Sequence, residues 1–142
     1  MSWFPKKKVV VPVDFSDESL TALGTALELV DNPANVLVVH VLQEPSNIEP
    51  GEVWGKIHQA TRIGNAVQAL REQLDKGQHY NVSTEVVIGN AGHEIAAIAE
   101  REIADLIVLT PHGRTGLKRM LIGSVTERVI RLAHCPVLVL RS

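Results

Sequence analysis

In Val9-Val10-Val11-Pro12-Val13-Asp14-Phe15-Ser16 the first five residues are apolar and four of them are valine. A strand that alternated apolar and polar residues would bury one face only. One that is apolar throughout is buried on both faces, as in a parallel sheet covered on two sides. Pro12 has no N–H to offer a ladder, so the strand is expected to stop close to Asp14. Ser16 precedes Asp17 and Glu18, the pattern of an N-cap and an acidic first turn, and Phe15 is placed to staple onto Leu20. Leu20, Leu23, Ala26, Leu27 and Val30 then recur at helical spacing. The stretch reads as strand, short turn and helix.

The same unit repeats along the chain. Asn32-Pro33 breaks the first helix, and residues 36–42 form a second apolar run that contains His40, expected as a hydrogen-bonded core or sheet-end histidine. Residues 43–51 hold two prolines and read as a loop. Val53, Ile57, Ala60, Ile63, Val67, Leu70 and Leu74 predict a long amphipathic helix, and Gly77 supplies its stop. Residues 82–88 are a third strand whose initial alternation suits a sheet edge. Gly89-Asn90-Ala91-Gly92 turns into a helix bearing Ile95, Ile98, Ala99 and Ile103. Residues 106–109 form a fourth strand. Ser124 and Glu127 have capping-box spacing at the start of a last helix marked by Val125, Val129, Leu132 and Ala133; Cys135-Pro136 ends it before a fifth strand at 137–140. Unbroken alternation of strands and helices predicts a single α/β domain over residues 1–142, an open five-stranded, mostly parallel sheet with helices on both faces.

The bulk numbers agree with one domain: 142 residues, 45% hydrophobic and 21% charged, suffice for one well-buried core. A net charge of −2 argues against a dedicated nucleic-acid binder. Cys135 is the single cysteine, which excludes an internal disulfide framework and a thiolate zinc site. No apolar run is long enough to cross a bilayer, and Trp3, Phe4 and Pro5 precede Lys6-Lys7-Lys8 in the wrong order for a signal peptide. The expectation is a cytoplasmic protein without membrane attachment, with the lysine run as a solvated strand entrance.

Charge is uneven. Residues 110–131 carry five cations and one anion, a local excess of +4. Within them, 110–124 crowds Gly113, Gly116 and Gly123 with Arg114, Lys118 and Arg119, and Ser124 then opens a helix. Glycines permit close approach to backbone amides, and a helix N-terminus carries free N–H groups and partial positive charge, so the stretch suits a phosphate. In open α/β sheets ligands collect outside the carboxyl ends of strands where strand order reverses. If Pro12-Val13-Asp14 and residues 110–124 are neighbours, they form one crevice. Neither a Gly-x-x-x-x-Gly-Lys-Ser/Thr loop nor a Gly-x-Gly-x-x-Gly turn after the first strand is present.

Val-Pro-Val-Asp-Phe-Ser from Val11, His40-Val41, Gly89, the run from His112 to Val125 and the closing Cys-Pro-Val-Leu-Val resemble the universal stress protein family along the whole chain. The resemblance implies a Rossmann-like fold of the adenine nucleotide alpha hydrolase type and ATP binding, with any Mg2+ held by the phosphates. It places Pro12, Val13, Asp14 and Val41 around the adenine, and Gly113, Gly123, Ser124 and Val125 at ribose and phosphates; the loop cation Arg114, by its charge, is a candidate phosphate contact. The nucleotide-binding signature is Gly-x-x-Gly, nine residues, then Gly-Ser or Gly-Thr; Gly113 and Gly123-Ser124 match, and Thr110 stands at the first glycine. Its β-carbon either crowds the ligand or brings a hydroxyl. The resemblance also implies a homodimer through strand 137–140.

Competing readings are a dimeric scaffold with no nucleotide and a slow ATP hydrolase. The loop holds no carboxylate to position water or a metal, and capping accounts for Glu127, so holding is favoured over hydrolysis.

Overall fold

The computed structural model describes residues 3–44, 53–111 and 122–141, with backbone alone for 53–55. Its elements are β1 (Val9–Pro12), α1 (Asp17–Glu28), a 3-10 turn (Pro33–Asn35), β2 (Val36–Leu42), α2 (Val53–Lys76), β3 (Ser83–Ile88), α3 (Ala91–Arg101), β4 (Leu106–Leu109), α4 (Ser124–Leu132) and β5 (Val137–Val139). The five strands make one sheet in the order β3-β2-β1-β4-β5, and every pairing is parallel. No helix among the described residues is long and apolar enough to cross a membrane.

The valine run does what its composition requires. Val9 and Val11 point into a core layer with Ala22, Leu23 and Ala26 of α1 and Leu70 and Leu74 of α2. Val10 points the other way, onto Ile95, Ile98 and Ala99 of α3 and Val129 of α4. β2 and β4 divide their residues by the same parity, which puts two helices on each face. The third strand lies at one edge of the sheet and the fifth at the other.

The opposite end of the sheet is tied by Asp105. Its carboxylate accepts from the backbone N–H groups of Lys7 and Lys8, each at 2.9 Å, and its own N–H donates to Lys8 O at 3.0 Å. Lys8 Nζ lies 3.4 Å from Glu102, and Arg101 pairs with Glu85 on β3. Lys6 departs from the solvated reading. It is buried, with Nζ 3.7 Å from the Trp3 ring centroid, because the aromatic pair ahead of it offers a cation–π face that covers its stem.

Helix ends also correct the pattern. α1 is capped as expected, Ser16 accepting from Ser19 N. The Ser124–Glu127 capping box does not form: Gly123 is the N-cap, no side chain caps α4, and Glu127 pairs instead with Arg131 at 2.6 Å. The apolar stripe of α2 is core only at its C-terminal turns, for Leu70 and Leu74 are fully buried while Ile57 and Val67 are 58% and 42% exposed. α2 ends beside Gly77, but Gln78 adopts the left-handed conformation (φ 62°).

Ile103 does not extend the apolar face of α3. The helix stops at Arg101, and Ile103 takes φ 53° while Ala104 N donates to Ala99 O (2.9 Å) and Ile103 N to Glu100 O (3.1 Å). This is a Schellman closure, whose left-handed position ordinarily holds glycine. The side chain is 85% exposed, so the conformational cost is offset by no packing. Ile103→Gly should therefore raise stability by about 0.5–1 kcal/mol, the left-handed penalty less the extra entropy of glycine. Urea denaturation checks this, and an unchanged or lower midpoint contradicts it.

Candidate functional site

β1 is the strand at which order reverses, since the chain goes outward to β2 and then returns to β4 on the other side. Its carboxyl end therefore faces the crevice anticipated from the sequence. A cleft opens there, and Pro12, Val13, Asp14, Val41, Thr110 and Val125 line it. Gly123 and Ser124 stand at the head of α4, outside that lining. Gly113 and Arg114, like Lys118 and Arg119, lie outside the described residues.

The turn after β1 is built around Asp14. Its Oδ1 accepts from the N–H of Ser16 at 3.0 Å and from the Ser16 hydroxyl, while Ser16 Oγ accepts from Ser19 N at 3.2 Å. The carboxylate thus organises the approach to α1 and lines the cleft as well. Phe15 between them takes φ 67°, an uncommon conformation for a large side chain, and its ring sits edge-on to His40 with centroids 4.6 Å apart.

His40 Nδ1 donates to Val13 O at 2.7 Å, which fixes the tautomer with the proton on Nδ1. Along a parallel strand the N–H and C=O of alternate residues face opposite neighbours. Val39 O accepts from Val13 N at 2.8 Å, on the β1 side, and Leu42 O accepts from Gly89 N at 2.9 Å, on the β3 side. By that parity Val41 directs its N–H and C=O toward the β1 side, where β1 has already turned away.

Opposite this edge stands the start of α4. Thr126 Oγ1 donates to Thr110 O at 2.8 Å, and Gly123 N donates to Pro111 O at 2.6 Å, so the end of β4 is held against the first turn of α4. The first main-chain bond into the helix is Glu127 N to Gly123 O (3.0 Å), which leaves the amides of Ser124, Val125 and Thr126 ahead of the ladder. α1 and α3 differ. Ser16 caps the one and Asn90 the other, Asn90 Oδ1 accepting from His93 N at 3.1 Å.

Ser19, Val39, His40, Ala91, Ile95, Leu109 and Thr126 also line the cleft, and the sequence reading assigned none of them to a site. Their signal was indirect. Val39 and Leu109 flank strand ends already suspected, whereas Ser19, Ala91, Ile95 and Thr126 enter through helix orientation, which a single sequence does not fix.

The family model of the universal stress protein family matches residues 6–141. The universal stress protein MJ0531 of Methanocaldococcus jannaschii is 39% identical over 140 residues, covering 95% of this chain and 82% of its own length. The solved structure of MJ0577 from the same organism is 30% identical, covers 96% of both chains and superposes with a TM-score of 0.75. An Archaeoglobus fulgidus universal stress protein solved in complex with dAMP is 24% identical, with a TM-score of 0.57 and 98% of both chains covered, a likeness of fold.

The placement of α4 depends on Gly92 in the first turn of α3. A β-carbon there would meet Arg128 Cβ at 2.7 Å and Cγ at 2.8 Å, close to the α4 backbone, so the helices pack at a distance only glycine allows. Gly92→Ala should destabilise the fold by about 1–3 kcal/mol through overpacking. Gly64→Ala, in mid-helix on α2 with nothing within 4 Å, should instead stabilise by about 0.5–1 kcal/mol. Equal effects of the two substitutions in chemical denaturation would contradict this account of α3 and α4.

Proposed function

The chain belongs to the universal stress protein family, and on that premise we propose that it is a stress-response regulatory module whose cleft holds an adenine nucleotide, ATP in the first instance. The observation that carries the reading is the pairing of two features across one cleft. On one side Val41 presents a main-chain donor and acceptor beside the Asp14 carboxylate; on the other, α4 begins without a side-chain cap. The former suits the polar edge of a purine, with Pro12, Val13 and Ile95 as apolar walls. The latter suits phosphate, stabilised by amides and the positive end of the helix.

Residue roles follow. Pro12, Val13, Asp14 and Val41 surround the base; Ser124 and Val125 meet the sugar and phosphates from α4, and Thr110 from the end of β4. Gly123 serves by setting the N-cap geometry, since its N–H is engaged by Pro111. Gly113 and Arg114 remain proposed phosphate contacts, with Mg2+ arriving on the phosphates. The relative solved with dAMP supports the fold as a host for such a ligand. These groups bind and orient; no proton transfer is assigned to them.

Two measurements test the reading. Denaturing the purified protein should release nucleotide, or else saturating Mg-ATP should stabilise it, by about 2.7 kcal/mol at a hundredfold excess over Kd. Val125→Asp should lower ATP affinity at least about tenfold by setting a carboxylate against the phosphates, yet leave stability unchanged or raised, because an acid suits the first helical turn. Absence of both bound nucleotide and thermal shift contradicts the proposal.

We further propose that a second copy pairs at β5. This strand is an edge, its Leu138 is 36% exposed, and Ile130 on adjoining α4 is 45% exposed. An apolar edge of this kind invites strand addition. Sedimentation equilibrium should give a dimer, and Leu138→Lys a monomer; a wild-type monomer at all concentrations opposes the pairing.

A further inference from the structure

We infer that His40 is a positioning residue, which takes the carbonyl of Val13 and thereby keeps the amide of Val41 open to a ligand in the cleft. The argument begins with the ladder. β1 and β2 pair in the register Pro12 to Val39, and Val13 N extends it by donating to Val39 O at 2.8 Å. The next rung of a parallel ladder would run from Val41 N to Val13 O. Instead the imidazole of His40, one residue before Val41, donates Nδ1–H to that carbonyl at 2.7 Å. The oxygen is satisfied by a side chain, and the sheet stops one rung early.

A second contact holds the ring in that role. Phe15 packs edge-on against His40 at 4.6 Å, from a left-handed backbone position that turns the chain out of the sheet directly after Asp14. The Phe15 conformation is costly, and the ring contact offsets part of it. β1 is thus diverted, Asp14 is folded into its turn with Ser16, and the polar edge of Val41 faces the space left behind. His40 touches no phosphate-binding element in this scheme. It acts through Val13 and Val41, at the base end of the cleft.

The inference rests on the nucleotide reading for what enters the cleft, but its geometry can be tested without ligand. Amide hydrogen exchange by NMR on the ligand-free wild type should find Val41 N–H weakly protected, in contrast to Val39 one turn of the ladder earlier. A strongly protected Val41 amide overturns the inference outright. In His40→Leu, which lacks the donor, Val13 O is released to Val41, and the Val41 amide should gain protection. ATP affinity should fall about tenfold, as for loss of one recognition hydrogen bond, while affinity for inorganic triphosphate stays within about twofold. His40→Asn, whose side-chain amide replaces Nδ1–H, should keep wild-type exchange at Val41 and most of the affinity, and it serves if the Leu variant does not fold. Equal loss of ATP and triphosphate binding, or unaltered exchange in His40→Leu, overturns the assignment. Should wild type show the exchange contrast and bind no ATP, the nucleotide reading falls and the positioning role of His40 stands.

Discussion

Burial of Val9, Val10 and Val11 on β1 is the constraint from which the architecture follows. Val9, Val10 and Val11 are all fully buried, and a strand with no solvent-facing side needs a neighbour on each edge and a helical layer on each face. Each such valine stabilises the fold by roughly 1.5–3 kcal/mol relative to exposure, so the arrangement is strongly favoured. It also has a geometric result. The centre of the sheet is where strand order reverses, and when β1 breaks off after Val13, its neighbours β2 and β4 are left facing one another across a gap. The cleft is thus a product of how the core is made.

What fills that gap is chemically divided. The β2 side presents main-chain polar groups at fixed spacing beside apolar walls, and the β4 side presents the beginning of a helix. α1 and α3 also start near the cleft, but Ser16 and Asn90 each take one of their leading amides. Only α4 among these starts without a side-chain cap, and Gly123 is the reason, having no side chain to supply one. A residue that sequence reading valued for conformational freedom matters here for the hydrogen-bond acceptor it lacks.

Strands and helices were legible because their hydrophobic periods are long and consistent, and the crevice because adjacent strand ends carried Pro12, Asp14 and Thr110. The failures share a cause. Ser124 and Glu127 have the spacing of a reciprocal cap, but the helix begins one residue earlier than such a cap requires, with Gly123 as its N-cap. Lys6 reads as solvated until Trp3 is seen folded over it. Ile103 fits the helical period, yet chain reversal intervenes first, and Ile57 fits a stripe that only its C-terminal end buries. Spacing reports which residues share a face; it does not report where the element starts, stops or finds a partner. The same limit hid Ser19, Ala91 and Thr126, whose place in the cleft depends on helix orientation.

The Asp105 carboxylate accepts from the backbone N–H groups of Lys7 and Lys8 just before β1, at the end of the sheet remote from the cleft. The Lys8–Glu102 and Arg101–Glu102 pairs lie at that same end. This fastening and the candidate cleft consequently occupy opposite ends of one strand, with the buried valines Val9, Val10 and Val11 between them. The lining of the cleft can therefore vary without touching the Asp105 contacts, and those contacts can be strengthened without altering the lining.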